Sequence, residues 1–321
     1  AMNKELTQAA VQSDLATVGS FSLVDSFGGK VLAANPQMPD ISVAVDPATL
    51  ALPNTFSPFP ATRGWPLGPL VYFKQRFPEK IAHTGAIVAN LPSTLSLWDG
   101  ERAAMGHLGY NVAYSSALPA TTTDFTSQVV AMKNMGIQVL FLEQAPQNYA
   151  AAVIKDLQQQ NFHPVVVLGG SSYSSVLVPD AGGPAAIDGT YLEQSASLYL
   201  GGDAATIPAV RTFDAWVQAA SPGFHADFFT LYGWLSAELF VQALRHAGSD
   251  PSRGSLLEAL RHITSFSSDS LVPVSDPARK IPISCYIIGQ IRSGQFVRVD
   301  DPPISGPTHG FRCDEPYYYL R

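Results

Sequence analysis

The chain has 321 residues, of which 14% are charged, and a formal net charge of −7. A single hydrophobic core stops growing at roughly 250–300 residues, so more than one core is expected. The negative balance argues against nucleic acid or an acidic membrane surface as partner, and no apolar run approaches the ~18 residues of a membrane span.

Gln, Ser, Thr and Asn take the place of many charges, giving the polar-neutral surface common in exported proteins. No signal peptide opens the chain; Ala1-Met2 reads as a tag remnant followed by an initiator Met. Glu5 to Gln12 is helical in pattern and leads into a strand, Leu15-Ala16-Thr17-Val18. Gly19-Ser20-Phe21-Ser22 follows, then a helix to about Ala34. A Gly/Ser turn at a helix N-terminus offers N–H groups and hydroxyls to a carboxylate; the plainer reading is capping by Ser20 or Ser22. Ile41 to Val45 is a second strand, ending at Asp46-Pro47. Asp46 either contacts a ligand or only starts a turn, the more frequent role of Asp before Pro. Pro47 to Pro60 is a Pro-rich loop, and Pro69 to Phe77 a helix with Pro69 suited to its first position.

Four apolar runs then recur: Ala86 to Val88, Val112 to Tyr114, Val139 to Leu142 and Val165 to Leu168. Such runs fit strands buried on both faces, and the spacing of about 25 residues leaves room for the helical crossover that parallel strands need. Helices are expected at about Leu95 to Leu108, Asp124 to Met135 and Asn148 to Gln160, with Thr121 to Asp124 as a start signal. The region is therefore an open parallel α/β sheet with helices on both faces. Ligands of such sheets bind beyond the carboxyl ends of the strands. Those ends carry Ala89 to Pro92, Ser115-Ser116, Glu143-Gln144 and Gly169 to Ser172.

Further on, Thr190 to Leu200 reads as a strand, Ile207 to Ala219 as a helix, and His225 to Ala247 as the longest helix, apolar over much of its circumference and hence buried. Ser255 to His262 is a shorter helix. Ile283 to Ile288 and Gln295 to Val299 flank Arg292-Ser293-Gly294 as a hairpin. The two cysteines, Cys285 and Cys313, either pair across a Gly/Pro-rich loop or stand as separate reduced thiols. A disulfide is the expectation, because the tail has little else to anchor it, and it would imply an oxidising compartment.

Catalytic and cofactor motifs are missing. There is no Gly-x-Gly-x-x-Gly, no Walker-type Gly-Lys-Ser/Thr, no Gly-x-Ser-x-Gly and no His-Glu-x-x-His. No Cys pair has zinc spacing, so no metal and no cofactor are expected. Asp46, Asp99, Glu101 and Glu143 lie near strand ends, and nothing in their spacing pairs them as acid and base.

Four segments together resemble one family. Leu15 to Ser22 is similar to the "A-V-V-G-x-x-S" turn of type I periplasmic binding proteins of the branched-chain amino acid (Leu/Ile/Val) class. Asp124 to Gly136 resembles that family's "D-F-x-x-x-V-x-x-[IM]-K-x-x-G" helix, and Leu231 to Gly248 its "Y-x-A-x-x-x-x-x-A-L-x-x-A-G" helix. Gln290 to Phe296 resembles its closing "Q-x-x-x-G-x-[FW]" hairpin, and the order matches throughout.

The resemblance implies two Rossmann-like α/β lobes with parallel sheets, joined by a hinge that closes around a solute held in the inter-lobe cleft. By similarity one lobe spans residues 1–78 plus 224–268 and the other 79–223 plus 269–321, with crossings near Pro78-Glu79 and Ser221-Pro222-Gly223. Relative to the family the first lobe lacks a strand, a helix and a second strand. The expectations are a truncated gene model, a proteolysed product, or a lobe completed by a second chain. The family implies an extracellular, periplasmic or cell-surface solute-binding protein of an ABC transporter, non-enzymatic, with a small molecule and a transporter permease as partners. A ligand-sensing receptor module and an α/β enzyme with a cryptic site are the alternatives. The ligand-binding residues implied by position are Ser20, Phe21, Ser22, Asp46, Trp98, Glu143, Gln144, Ser171, Tyr173 and Tyr232. For Trp98 and Tyr232 the rival reading is helix packing, and for Glu143 a solvated loop residue. The hydroxyls that hold an amino acid's carboxylate in the family are poorly matched: Leu23 follows Ser22, and Val43 to Asp46 supplies none. The ligand is then expected to be amino acid-like or aromatic.

Overall fold

The chain opens with α1 (Met2–Ser13), followed by β1 (Thr17–Ser20), α2 (Ser26–Ala34), β2 (Asp40–Ser42), α3 (Pro47–Leu50) and β3 (Thr55–Phe56). The structure is a computed structural model that describes residues 2–22, 24–44 and 46–320. Leu23, and Val45 at the end of the expected second strand, lie outside the described residues. The three strands form a parallel sheet in the order β1-β2-β3. β3 falls inside the stretch expected to be a Pro-rich loop; at two residues it is too short to show an alternating pattern. These residues belong to the first of two units, Ala1–Arg63 with Phe229–Ile283; the second is Gly64–Phe228 with Ser284–Arg321.

The second unit begins with β4 (Gly64–Pro66) and α4 (Leu67–Arg76). The boundary thus lies at Arg63/Gly64, not at Pro78-Glu79. The cause is burial: Leu70 and Phe73 of α4 are packed into one core with Val139, Phe141 and Val167. Each such side chain contributes roughly 1.5–3 kcal/mol when removed from water, so α4 goes with that sheet. Pro69 is the third residue of α4 and Leu67 the first, since Pro66 still has extended backbone.

The expected β/α alternation then follows: β5 (Thr84–Ala89), α5 (Pro92–His107), β6 (Val112–Leu118), α6 (Thr126–Asn134), β7 (Val139–Leu142), α7 (Gln147–Gln159) and β8 (Val165–Leu168). Two single turns, α8 (Leu177–Asp180) and α9 (Pro184–Ile187), lead to β9 (Tyr191–Gln194), and α10 (Pro208–Ala220) ends this part. β9 is shorter than the expected strand 190–200. The backbone after it turns onto Asp203, whose carboxylate accepts from Leu198 N at 2.7 Å and from Arg298 Nη2 at 2.7 Å.

The chain returns to the first unit with α11 (Phe228–Ala247) and α12 (Arg253–His262). α11 buries Leu231, Tyr232, Leu235, Leu239 and Ala243, a stripe at helical spacing. It is less enclosed than the sequence implies, since Phe229 remains 55% exposed. Ser252 caps α12, its hydroxyl accepting from Ser255 N.

The second unit closes with β10 (Ile287–Arg292), β11 (Gln295–Arg298) and β12 (Tyr317–Tyr319). The hairpin turns at Ser293 and Gly294, both at positive φ, and its first strand sits later than the expected Ile283 to Ile288. Its seven-stranded sheet has the order β11-β10-β9-β8-β7-β5-β6. β5 to β9 are parallel, and β10 joins β9 antiparallel. Cys285 and Cys313 form a disulfide. Beside it Tyr286 and Arg312 exchange backbone hydrogen bonds of 2.9 and 2.8 Å, and β12 pairs with β4, so the tail is held at several points.

Candidate functional site

In the first unit, candidate residues gather beyond the carboxyl end of β1. Gly19 has φ +76° at an irregularity in the β1–β2 pairing, between Val18 and Ser20. That conformation suits glycine, and the site also brings β1 close to Gly233 of α11, whose Cα would lie 3.6 Å from an added Cβ. Ser20 keeps its carbonyl in the sheet, accepting from Val43 N at 3.2 Å. Ser22 Oγ accepts from Val24 N at 3.2 Å. Because Ser22 is used in this local turn, α2 starts only at Ser26 with Asp25 before it, and neither Ser20 nor Ser22 caps the helix. Asp46 caps α3: its Oδ2 accepts from Thr49 N and Thr49 Oγ1, both at 2.9 Å.

Phe21 lies in an aromatic group. Its ring stacks on Tyr232 at 6.1 Å and 15° and meets Phe229 edge-on at 5.1 Å, while Phe59 meets Tyr232 edge-on at 5.5 Å. Such pairs contribute about 0.5–1.5 kcal/mol beyond area burial. Tyr232 is buried, which raises the pKa of its phenol. Phe59 and Phe229 were not singled out from the sequence; the only signal for Phe229 is its helical spacing of three from Tyr232.

In the second unit, the strand order reverses at β5, which has β6 on one side and β7 on the other. This is the switch point, where the helices leaving adjacent strands go to opposite faces and leave a crevice. Glu143 and Gln144 stand there, immediately after β7, and Gln144 O accepts from Ala89 N at the end of β5. Gln144 Nε2 donates to Glu101 Oε2 at 2.9 Å. Glu101 comes from α5 and is 1% exposed; Glu193, on β9, and Glu143 are also buried.

The sequence left Glu101 and Glu143 unpaired. The fold brings them into one cluster with Glu193, and their charges act on one another. Burial is the main cause that raises the pKa of all three carboxyls, with repulsion from the neighbouring carboxyls adding to it at Glu101 and Glu143. If both partners were ionised, neither oxygen of Glu143 would have a donor. A proton on one makes Glu143 and Glu193 a carboxylic acid–carboxylate hydrogen-bonded pair. Glu193 has no signal in the sequence: a strand running to Leu200 puts the carboxyl end beyond it, whereas β9 ends at Gln194.

Gly169, after β8, makes this meeting possible: a Cβ there would lie 2.8 Å from Glu143 O and 3.0 Å from its Cα. Ser171 Oγ donates to Ala145 O at 3.1 Å and Ser172 Oγ to the same carbonyl at 3.1 Å, fixing the loop after β8 to the loop after β7. Tyr173 points into the core: it is 1% exposed, its hydroxyl accepts from Leu200 N at 3.1 Å, and its ring meets Tyr199 and Phe296, each at 4.7 Å. Trp98 is likewise part of the hydrophobic core, beside residues of α4 and α5. Among the described residues no group of His, Cys, Asp or Glu has the arrangement of a metal site, and no helix is long and apolar enough to cross a membrane.

The family model for periplasmic binding proteins matches residues 2–295. Among solved structures, the chain is similar to an ABC transporter solute-binding protein from R. palustris in complex with benzoate. The identity is 17%, the TM-score 0.77, and the match covers 99% of this chain and 83% of that one. It is similar to a branched-chain amino acid ABC transporter protein from Thermus thermophilus with bound valine, at 16% identity and TM-score 0.76, covering 92% and 80% of the two chains. A fatty acid ABC transporter substrate-binding protein from Thermomonospora curvata gives 18% identity and TM-score 0.76, covering 99% and 78%. At these identities the likeness is one of fold. None of the curated proteins compared matches the chain. With its family model matched over nearly the whole length and its two parallel α/β units, the chain belongs to the periplasmic binding protein family.

Proposed function

We propose that the protein captures a small organic solute for an ABC uptake system and releases it unchanged, with the permease of that system as its partner. The observation that carries this reading is the polar cluster at the switch point of the second unit, Glu143 with Gln144, Glu101 and Glu193. The crevice outside the carboxyl ends of strands is where open α/β sheets bind ligands. Within the first unit, taken by itself, the Phe21, Phe59, Phe229 and Tyr232 rings offer apolar surface of the kind that lines small-molecule sites. Solved relatives hold valine, benzoate and 4-hydroxybenzoate. The aromatic group favours an aromatic or otherwise apolar solute. The Cys285–Cys313 disulfide supports an exported location, since such bonds persist in oxidising compartments.

A thermal-shift screen with benzoate, 4-hydroxybenzoate, valine and medium-chain fatty acids tests the reading. A bound solute raises the unfolding temperature in step with RT ln(1 + [L]/Kd), and mass spectrometry recovers it intact. A ligand returned chemically altered would replace this reading with an enzymatic one. We also infer that a second chain extends the three-stranded sheet at β1, which among the described residues pairs with β2 alone and borders a groove of ≈ 770 Å³ lined by α1 and α2. Light scattering that gives a monomer mass at working concentrations overturns that inference.

A further inference from the structure

We propose that Glu101, Glu143 and Glu193 form a proton-holding site at the carboxyl end of the second unit's sheet, through which pH controls the stability of that unit. Three elements converge there: α5 brings Glu101, the end of β7 brings Glu143, and β9 brings Glu193. All three side chains are buried, and none takes part in an ion pair among the described residues. The Gln144 amide reaches one oxygen of Glu101; the other oxygen of Glu101 and both of Glu143 are buried without a donor. A buried carboxylate without donors is costly, and like charges in one site cannot all ionise. Protons supply the missing donors: one on the Glu143–Glu193 pair makes the hydrogen bond between them, and another keeps Glu101 neutral.

The titratable groups that face the cluster are Tyr110, which feels Glu143, and Tyr286, which feels Glu193. Both are phenols that stay neutral through this range, because burial raises them further. Tyr286 also feels Asp301, Asp314 and Arg312, and that arginine is paired with Asp301 at 3.2 Å.

The sign follows from linkage. Carboxyls raised in the folded state hold protons that the unfolded chain has already lost above the ordinary glutamate value of about 4.3. Stability is therefore greatest in acid and falls as pH rises through the raised values, by up to about tenfold in the folding constant per pH unit for each proton held. The proposal needs no ligand, so a failed solute screen leaves it standing.

The test is a carbon-13 NMR titration of the full chain labelled at the glutamate side-chain carboxyl, from about pH 5 to about pH 9, with thermal unfolding across the same range. Expected are glutamate resonances that titrate well above the ordinary range, missing in Glu143→Gln, and an unfolding temperature that falls with pH less steeply in that variant. Glu101→Gln serves as a second variant, and the wild-type titration stands by itself if neither folds. If every glutamate titrates in the ordinary range, or if both variants follow the wild-type pH slope, the proposal is overturned.

Discussion

The Gln144 amide donates a 2.9 Å hydrogen bond to Glu101 Oε2, tying the end of β7 to the middle of α5. Through it a neutral side chain gives the carboxyl cluster a hydrogen-bond donor. Replacing it with Leu (Gln144→Leu) leaves Glu101 without that donor. The expected cost is about 1–3 kcal/mol in urea unfolding, larger at alkaline pH, where Glu101 must ionise.

Gly169→Ala tests how the loop after β8 shapes the same cluster. The backbone there is not strained for an L residue, so any penalty is steric: the added methyl would meet the Glu143 backbone at 2.8–3.0 Å. A loss of about 1–3 kcal/mol is expected, as for other overpacked sites. The pH dependence of unfolding should change with it, because Glu143 has to move.

The disulfide closes a loop with a sequence separation of 28 residues. Loop-closure entropy for that length gives at most about 3.6 kcal/mol. Reduction by dithiothreitol, or the double change Cys285→Ser with Cys313→Ser, should lower the unfolding temperature, and the double variant should no longer respond to reductant.

Phe21 lies in the aromatic group proposed to meet the solute, and Tyr173 lies in the core. Phe21→Ala is expected to weaken binding of the solute that the thermal-shift screen identifies about tenfold or more, the loss of one aromatic contact of about 1.4 kcal/mol. Tyr173→Phe loses the hydrogen bond from Leu200 N and about 1 kcal/mol of stability, while affinity stays unchanged. Isothermal calorimetry with that solute, paired with urea unfolding, checks both.

Asp40 links the first unit to pH. Burial raises its pKa, opposed by hydrogen bonds from Thr17 at 2.5 Å and Ser42 at 2.7 Å. A raised folded value means that the folded chain keeps a proton the unfolded chain loses above about 3.9. Stability contributed here is full below that value and is lost as pH rises. Asp40→Asn should flatten the acid side of the stability profile of the first unit, followed by hydrogen exchange at β1 and β2.

The sequence by itself determined the alternation of strands and helices from β5 to β8. Val139 to Leu142 is wholly apolar because β7 is covered on both faces, and a strand of that kind is visible in any sequence. It also located Glu143 and Gln144 at a strand end, since their place follows directly from the run before them. The family patterns were legible for the same reason: they record local helix and turn chemistry.

Only the tertiary structure decided the rest. β3, β4 and β12 have two or three residues each and exist through their pairing partners. α4 joined the second unit because Leu70 and Phe73 are buried there, which no local pattern specifies. Tyr173 and Trp98 have a strand-end or helix position like that of a ligand residue, and packing turned both into the core. Glu101, Glu143 and Glu193 are distant in sequence and meet only where α5, β7 and β9 converge. Burial there, and not residue type, turns three ordinary carboxyls into proton holders.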